Sequence, residues 1–181
     1  MRRFARIGIA FAIAAMTAGC FQPLYGDRVV GPASVVNLRD QLGAVQIQTV
    51  DVPRGSPIAR VAMEVRNALI FNLTGGGDAQ TPTHKLKLSL GSNRQQVIVD
   101  IGTARPDLEN FGIDATYSLV DITTDKVVLT GRTFARVSYD IPGQAQRFAR
   151  ARGLRDAENR AAKVIADQIQ SRLASFFTAG A

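Results

Sequence analysis

From His84 onward, apolar and polar residues alternate. Leu86, Leu88 and Leu90 are interleaved with Lys85, Lys87 and Ser89. A period of two is that of a strand with one face buried, and here the other face is basic. The strand runs on past an irregularity at Gly91 through Val97, Val99 and Ile101. Gly102, Pro106 and Asn110 mark residues 102–110 as a loop. A third strand is expected over 113–123, with Tyr117 and Leu119, and a fourth over 127–139, with Val127, Leu129, Phe134, Val137 and Tyr139. Only Thr124, Asp125 and Lys126 separate these two, and a connection that short favours an antiparallel meander.

Elsewhere the period lengthens. Ser56-Pro57 is a helix start, because serine can cap open backbone N–H groups and proline suits the first helical position. Ile58, Val61, Val65, Ala68 and Leu69 then recur at helical spacing, and Gly75-Gly76-Gly77 stops the helix. No Lys-Ser or Lys-Thr follows that triplet, so it is a turn rather than a phosphate loop. After Pro142-Gly143 the chain is mostly helical to Phe177, with Leu154, Ala157, Ala161, Ile165, Ile169, Leu173 and Phe176 on one face. Gly153 is read as dividing this helix from an arginine-rich turn at 147–152. Upstream, Val45 and Ile47 alternate with Gln46 and Gln48, and Val50 and Val52 follow in the opposite phase, giving a strand over 44–52 with a bulge near Thr49. The order is β-α-β-β-β-α. The fold class is therefore α+β, a sandwich of two helices packed on one face of a four-stranded, mostly antiparallel sheet.

The N-terminus has a different pattern. Arg2, Arg3 and Arg6 precede an uncharged, largely apolar run of 10 residues, Ile7 to Met16. A membrane span needs about 20 such residues, so the run is a signal-peptide core rather than an anchor. It ends in Thr17-Ala18-Gly19-Cys20, small residues before a cysteine, which is the bacterial lipoprotein pattern. The Cys20 thiol would take a diacylglyceryl group, and its new amine an acyl chain. Three chains anchor firmly where one would hold only marginally. Residue 21 is Phe rather than an inner-membrane retention Asp, so the periplasmic face of the outer membrane is the expected location. The expected organisation is residues 1–19 signal peptide, 20–43 lipidated N-terminus and tether with room for a short helix around 34–42, and 44–181 a single α+β domain.

Composition narrows the chemistry. Of the 181 residues, 46% are hydrophobic and 20% charged, which excludes a wholly disordered chain and a polytopic membrane protein. One cysteine and one histidine exclude a disulfide framework and a multi-histidine metal site within the chain. His84 sits at a strand start with no acid or nucleophile near it in sequence, and Asp100, Asp107 and Glu109 read as solvated loop carboxylates. No catalytic, cofactor or metal site is expected. An envelope hydrolase, the enzyme alternative, offers no residue that stands out as its acid, base or nucleophile.

The net charge of +7 points to anionic partners. Between Gly131 and Lys163 lie eight basic residues and three acidic ones, enough to account for the whole excess of the mature chain. Arginine dominates, and its planar fork suits phosphate oxygens. In the periplasm those phosphates belong to phospholipid and lipopolysaccharide, not to nucleic acid.

The segment Cys20-Phe21-Gln22-Pro23-Leu24-Tyr25-Gly26 resembles the start of the alphaproteobacterial lipopolysaccharide-assembly lipoproteins of the LptE family. Ala104-Arg105, Ser138-Tyr139 and Asp156-Ala157-Glu158-Asn159-Arg160-Ala161 also resemble that family, although its members often carry Gly directly after the cysteine, where Phe21 stands here. The resemblance implies a non-catalytic plug inside the outer-membrane β-barrel LptD. Such a plug assists barrel assembly and delivery of lipopolysaccharide to the outer leaflet. The partners implied are an LptD-like barrel, lipopolysaccharide, and the outer membrane through the acyl chains on Cys20. Charge and placement nominate Arg105, Arg150 and Arg152 as lipopolysaccharide-binding candidates. The competing expectation is an auxiliary lipoprotein of a periplasmic ABC-type lipid-transport system.

Overall fold

The computed structural model describes residues 37–50, 52–53, 55–77, 80–100, 105–141 and 147–179. The expected signal peptide, Cys20 and the tether up to residue 36 lie outside the described residues. A short helix α1 (Leu38–Gly43) leads into strand β1 (Val45–Ile47) and helix α2 (Pro57–Thr74). Three long strands follow, β2 (His84–Asp100), β3 (Arg105–Asp121) and β4 (Val127–Asp140), and then helix α3 (Arg147–Thr178). The sheet order is β1-β2-β3-β4, with β1 parallel to β2 and the other pairs antiparallel. The helices share one side, as the two amphipathic stripes require.

Register explains which face is buried. Leu86 pairs with Leu119, and Leu119 with Leu129. The same phase carries Phe111, Ile113, Ala115 and Tyr117 toward the helices, where they are buried. The helices meet them with Val61, Val65, Leu69 and Leu73 from α2 and Ile165, Ile169 and Leu173 from α3. Alanines 157, 161, 162, 166 and 174 are also buried on α3, and side chains this small let the long helix lie close to both sheet and α2. Near its start α2 meets α3 through Arg60 and Asn159, and near its end through Asn72 and Asp167 (2.8 Å), so the two helices run in the same direction.

Four expectations are corrected. The loop expected over 102–110 is largely strand, since β3 begins at Arg105 and pairs with β2 as far as Asp100. The far part of this hairpin reaches beyond the core: residues 91–97 are all exposed, so no buried face imposes the alternation that marks a strand. The break expected at Gly153 does not occur, and α3 is continuous over 32 residues. A Cβ at position 153 would lie 3.3 Å from the Tyr139 ring, so the glycine permits close helix–sheet approach. The strand expected over 44–52 is confined to Val45–Ile47, because the chain then leaves the sheet to enter α2, and buried Val50 belongs to that departure. Finally, Ser56 does not cap α2 with its side chain; its hydroxyl donates instead to the Pro53 carbonyl at 2.6 Å.

The short helix expected around 34–42 is α1. Leu38 and Leu42, one helical turn apart, are buried in the core cluster, so packing extends back to residue 38.

Candidate functional site at the arginine-bearing end

The end of β2 at Asp100, the start of β3 at Arg105 and the leading turns of α3 lie at one end of the molecule. Arg105 pairs with Asp100 beside the β2–β3 connection; its side chain lies outside the described residues. Four positions along β3, roughly 13 Å at strand rise, comes Glu109, on the face turned toward the helices. Its side chain is only 5% exposed, and Arg150 from the first turn of α3 reaches it with Nη2 3.1 Å from Oε2. Arg152 is exposed and makes no ion pair among the described residues. Residues two apart on a helix point in different directions. Arg150 therefore turns to the sheet and Arg152 to solvent, so these two do not act as one cluster, while the backbone of Arg105 lies at the same end.

Glu109 was not singled out by its sequence, being one of a group of carboxylates assigned to a loop. Its register was the available signal, because it falls in phase with Phe111, Ile113 and Ala115. It pairs across the sheet with Tyr139, which is 5% exposed. Burial, with the Glu109 carboxylate beside it, pushes the Tyr139 hydroxyl up to about 12. The corner thus holds a buried acid, a neutral phenol and a half-exposed guanidinium.

The charge placement here runs against helix electrostatics. The first turns of α3 carry Arg147, Arg150, Arg152 and Arg155, and no acid lies in the first turn. A helix N-terminus carries a partial positive charge that disfavours cations. Phe148, between these arginines, is 87% exposed.

Apart from the exposed Phe134 ring, the sheet face without helices is largely polar. Lys87, Ser89, Asn93 and Gln95 of β2, Asp114 and Thr116 of β3, and Thr130 and Arg132 of β4 project there, all exposed. Arg136 bridges to Asp114 at 3.2 Å and lies 5.4 Å over the exposed Phe134 ring. Ser138 and Asn110 pair at 2.6 Å. Among the described residues no group of three or more His, Cys, Asp or Glu side chains is placed to hold a metal ion, and no helix is long and apolar enough to cross a membrane.

At the other end of the sheet, His84 packs edge-on against Phe177 with ring centroids 5.3 Å apart. Desolvation lowers its pKa, opposed in part by the Asp121 carboxylate. It stands at a strand start, as its sequence context indicates.

Comparison with known proteins adds family to fold. A family model described as LptE, lipopolysaccharide-assembly, matches residues 42–173. No curated protein sequence matches significantly. Among solved structures, a candidate lipoprotein from Caulobacter crescentus CB15 superposes with a TM-score of 0.63 at 21% identity, covering 80% of this chain and 97% of its own. The rare lipoprotein B of Shewanella oneidensis gives 0.51 at 14% identity, covering 74% and 95%. A minor lipoprotein of Acinetobacter baumannii gives 0.50 at 13%, covering 74% and 92%. At these identities the structural matches speak to the fold.

Proposed function

Given that the chain belongs to the LptE family of lipopolysaccharide-assembly proteins, we propose that it is the plug subunit of an outer-membrane translocon. It seats in an LptD-like β-barrel, assists that barrel's assembly and helps deliver lipopolysaccharide to the outer leaflet. The observation that carries this reading is the polar sheet face opposite the helices. Outer-membrane barrels have polar, water-filled interiors, and a wall of Lys87, Asn93, Gln95, Thr116 and Arg132 can meet such a lumen with little apolar surface to desolvate beyond the Phe134 ring. The leading end of α3 supports the lipopolysaccharide part: its first turn holds no acid, Arg152 makes no ion pair among the described residues, and phosphate is the anion an arginine fork suits.

In this reading Cys20 carries the acyl chains that hold the domain at the periplasmic face of the outer membrane. Arg105, Arg150 and Arg152 compete for lipid A phosphates and loosen lipopolysaccharide packing as it passes. No covalent step is involved; the work is binding and placement. Pull-down of the full chain from detergent-solubilised envelopes, with mass spectrometry of its partners, tests the proposal. The expected partner is a large outer-membrane barrel. Recovery of an ATPase–permease set instead would assign the chain to an ABC-type lipid-transport system.

A further inference from the structure

The helical cover of the sheet is incomplete at the arginine-bearing end. α2 starts only at Pro57, whereas β2, β3 and α3 run on beyond it. The gap is a groove of about 400 Å3, within the roughly 300–1,000 Å3 typical of small-ligand sites. Ile58 of α2, Leu90 of β2, Leu154 of α3 and Phe111 of β3 supply its apolar lining, and Ser92 and Asn93 of β2 line it on the polar side. Ile58, Leu90 and Leu154 are partly buried, and Phe111 is 3% exposed. Two charged groups line it. Glu158 is paired with Arg60, so its charge is met within the protein. Arg94 is exposed, lies on the same face of β2 as Leu90, and has no carboxylate partner among the described residues.

We propose that this groove binds one hydrocarbon chain of an anionic lipid, with Arg94 on the lipid's phosphate. The occupant follows from charge complementarity joined to shape. The lining is amphipathic, an apolar side of Ile58, Leu90, Phe111 and Leu154 beside the polar Ser92–Arg94 stretch, which suits an amphipathic guest, and the one unmatched charge in it among the described residues is cationic. α2 and α3 run in the same direction, so both positive helix ends lie toward this end of the molecule and add to the attraction. The inference rests on the proposed handling of lipopolysaccharide and specifies where a chain of such a lipid lies, at residues distinct from Arg105, Arg150 and Arg152.

The test uses the full chain purified from envelopes in digitonin. The probe is dodecyl phosphate carrying a diazirine midway along its chain; after irradiation, labelled peptides are mapped by mass spectrometry. Adducts are expected on the peptides holding Leu90–Arg94 and Leu154–Glu158. Leu90→Trp fills the groove and lowers labelling about tenfold, the scale of one lost charge-assisted or apolar contact set. Ile58→Trp blocks the opposite wall and gives the same reading should Leu90→Trp fail to fold. Arg94→Gln lowers labelling by the phosphate probe about tenfold while leaving labelling by the matching dodecanol probe unchanged. Labelling spread over the whole surface, or indifferent to the filling variants or to Arg94→Gln, overturns the proposal. Co-purification of a barrel is read separately. A chain that labels in the groove but brings down no barrel keeps this site and loses the plug reading.

Discussion

Arg150 holds the buried carboxylate of Glu109 at 3.1 Å, tying the first turn of α3 to β3. The two partners are unequally exposed, 46% for Arg150 and 5% for Glu109, and that asymmetry orders the cost of removing either. Arg150→Ala strands an ionised acid away from water and should destabilise the domain by about 1–3 kcal/mol. Glu109→Gln leaves a guanidinium that water can reach and should cost less. Urea melts of the two variants check the order; equal or inverted losses would mean that the pair does not secure this corner.

The same geometry separates two arginines that look alike in sequence. Arg152 has no ion pair among the described residues, so Arg152→Ala should weaken lipopolysaccharide binding and leave the melting temperature nearly unchanged. Arg150→Ala should lower both. Binding measured beside circular-dichroism melts distinguishes them, and lipopolysaccharide binding untouched by Arg105, Arg150 and Arg152 removed together would reject all three as contacts.

Gly131 lies opposite Tyr117 across the β3–β4 pair, and a Cβ at 131 would overlap the Tyr117 ring. Gly131→Ala should cost about 1–3 kcal/mol through overpacking. Combining it with Tyr117→Leu should recover part of the loss contributed by the clash. A double-mutant cycle on thermal melts reads the coupling; purely additive losses would place the clash elsewhere.

His84 makes stability depend on pH. Burial sets its folded pKa below the ordinary 6.5. As pH falls through 6.5 the unfolded chain takes up a proton before the folded one, so acid favours unfolding. Stability should decline from about pH 6.5 until the lower folded value is passed, and His84→Gln should flatten that part of the profile. Melting temperatures from pH 7.5 to 5 provide the measurement, and an unchanged slope in the variant would point to other groups.

Cys20→Ser should abolish palmitate incorporation and release the protein from the outer-membrane fraction. Metabolic labelling followed by membrane fractionation checks both, and persistent labelling would mean that the acyl chains sit on another residue.

The sequence was most legible where one face of an element meets the core. Leu86, Leu88 and Leu90 betray β2, and the Ala157-to-Phe176 stripe betrays α3, because burial imposes a period on the chain. The strand tips were illegible for the converse reason: Asn93, Arg94, Gln95 and Gln96 are wetted on both faces, and Pro106 resembles a loop residue although it pairs with Ile98. Gly153 was misread because a glycine in a helix signals either an ending or a close neighbour, and only Tyr139 shows which. At the candidate site, charge found the arginines, but Glu109, which fixes the direction of one of them, needed the register.

The leading turns of α3 hold Arg152 and Arg155 against the helix's own field, and among the described residues only Arg150 is met there by a carboxylate, that of Glu109. Added salt should screen the repulsion felt by Arg152 and Arg155 while leaving the Arg150–Glu109 pair, whose acid is buried, largely intact, so hydrogen exchange at Phe148–Arg152 should slow as ionic strength rises. A dissolved counterion relieves that repulsion diffusely. A surface of fixed phosphates would relieve it at a defined position and angle, and the relieved repulsion would then become part of the driving force for docking.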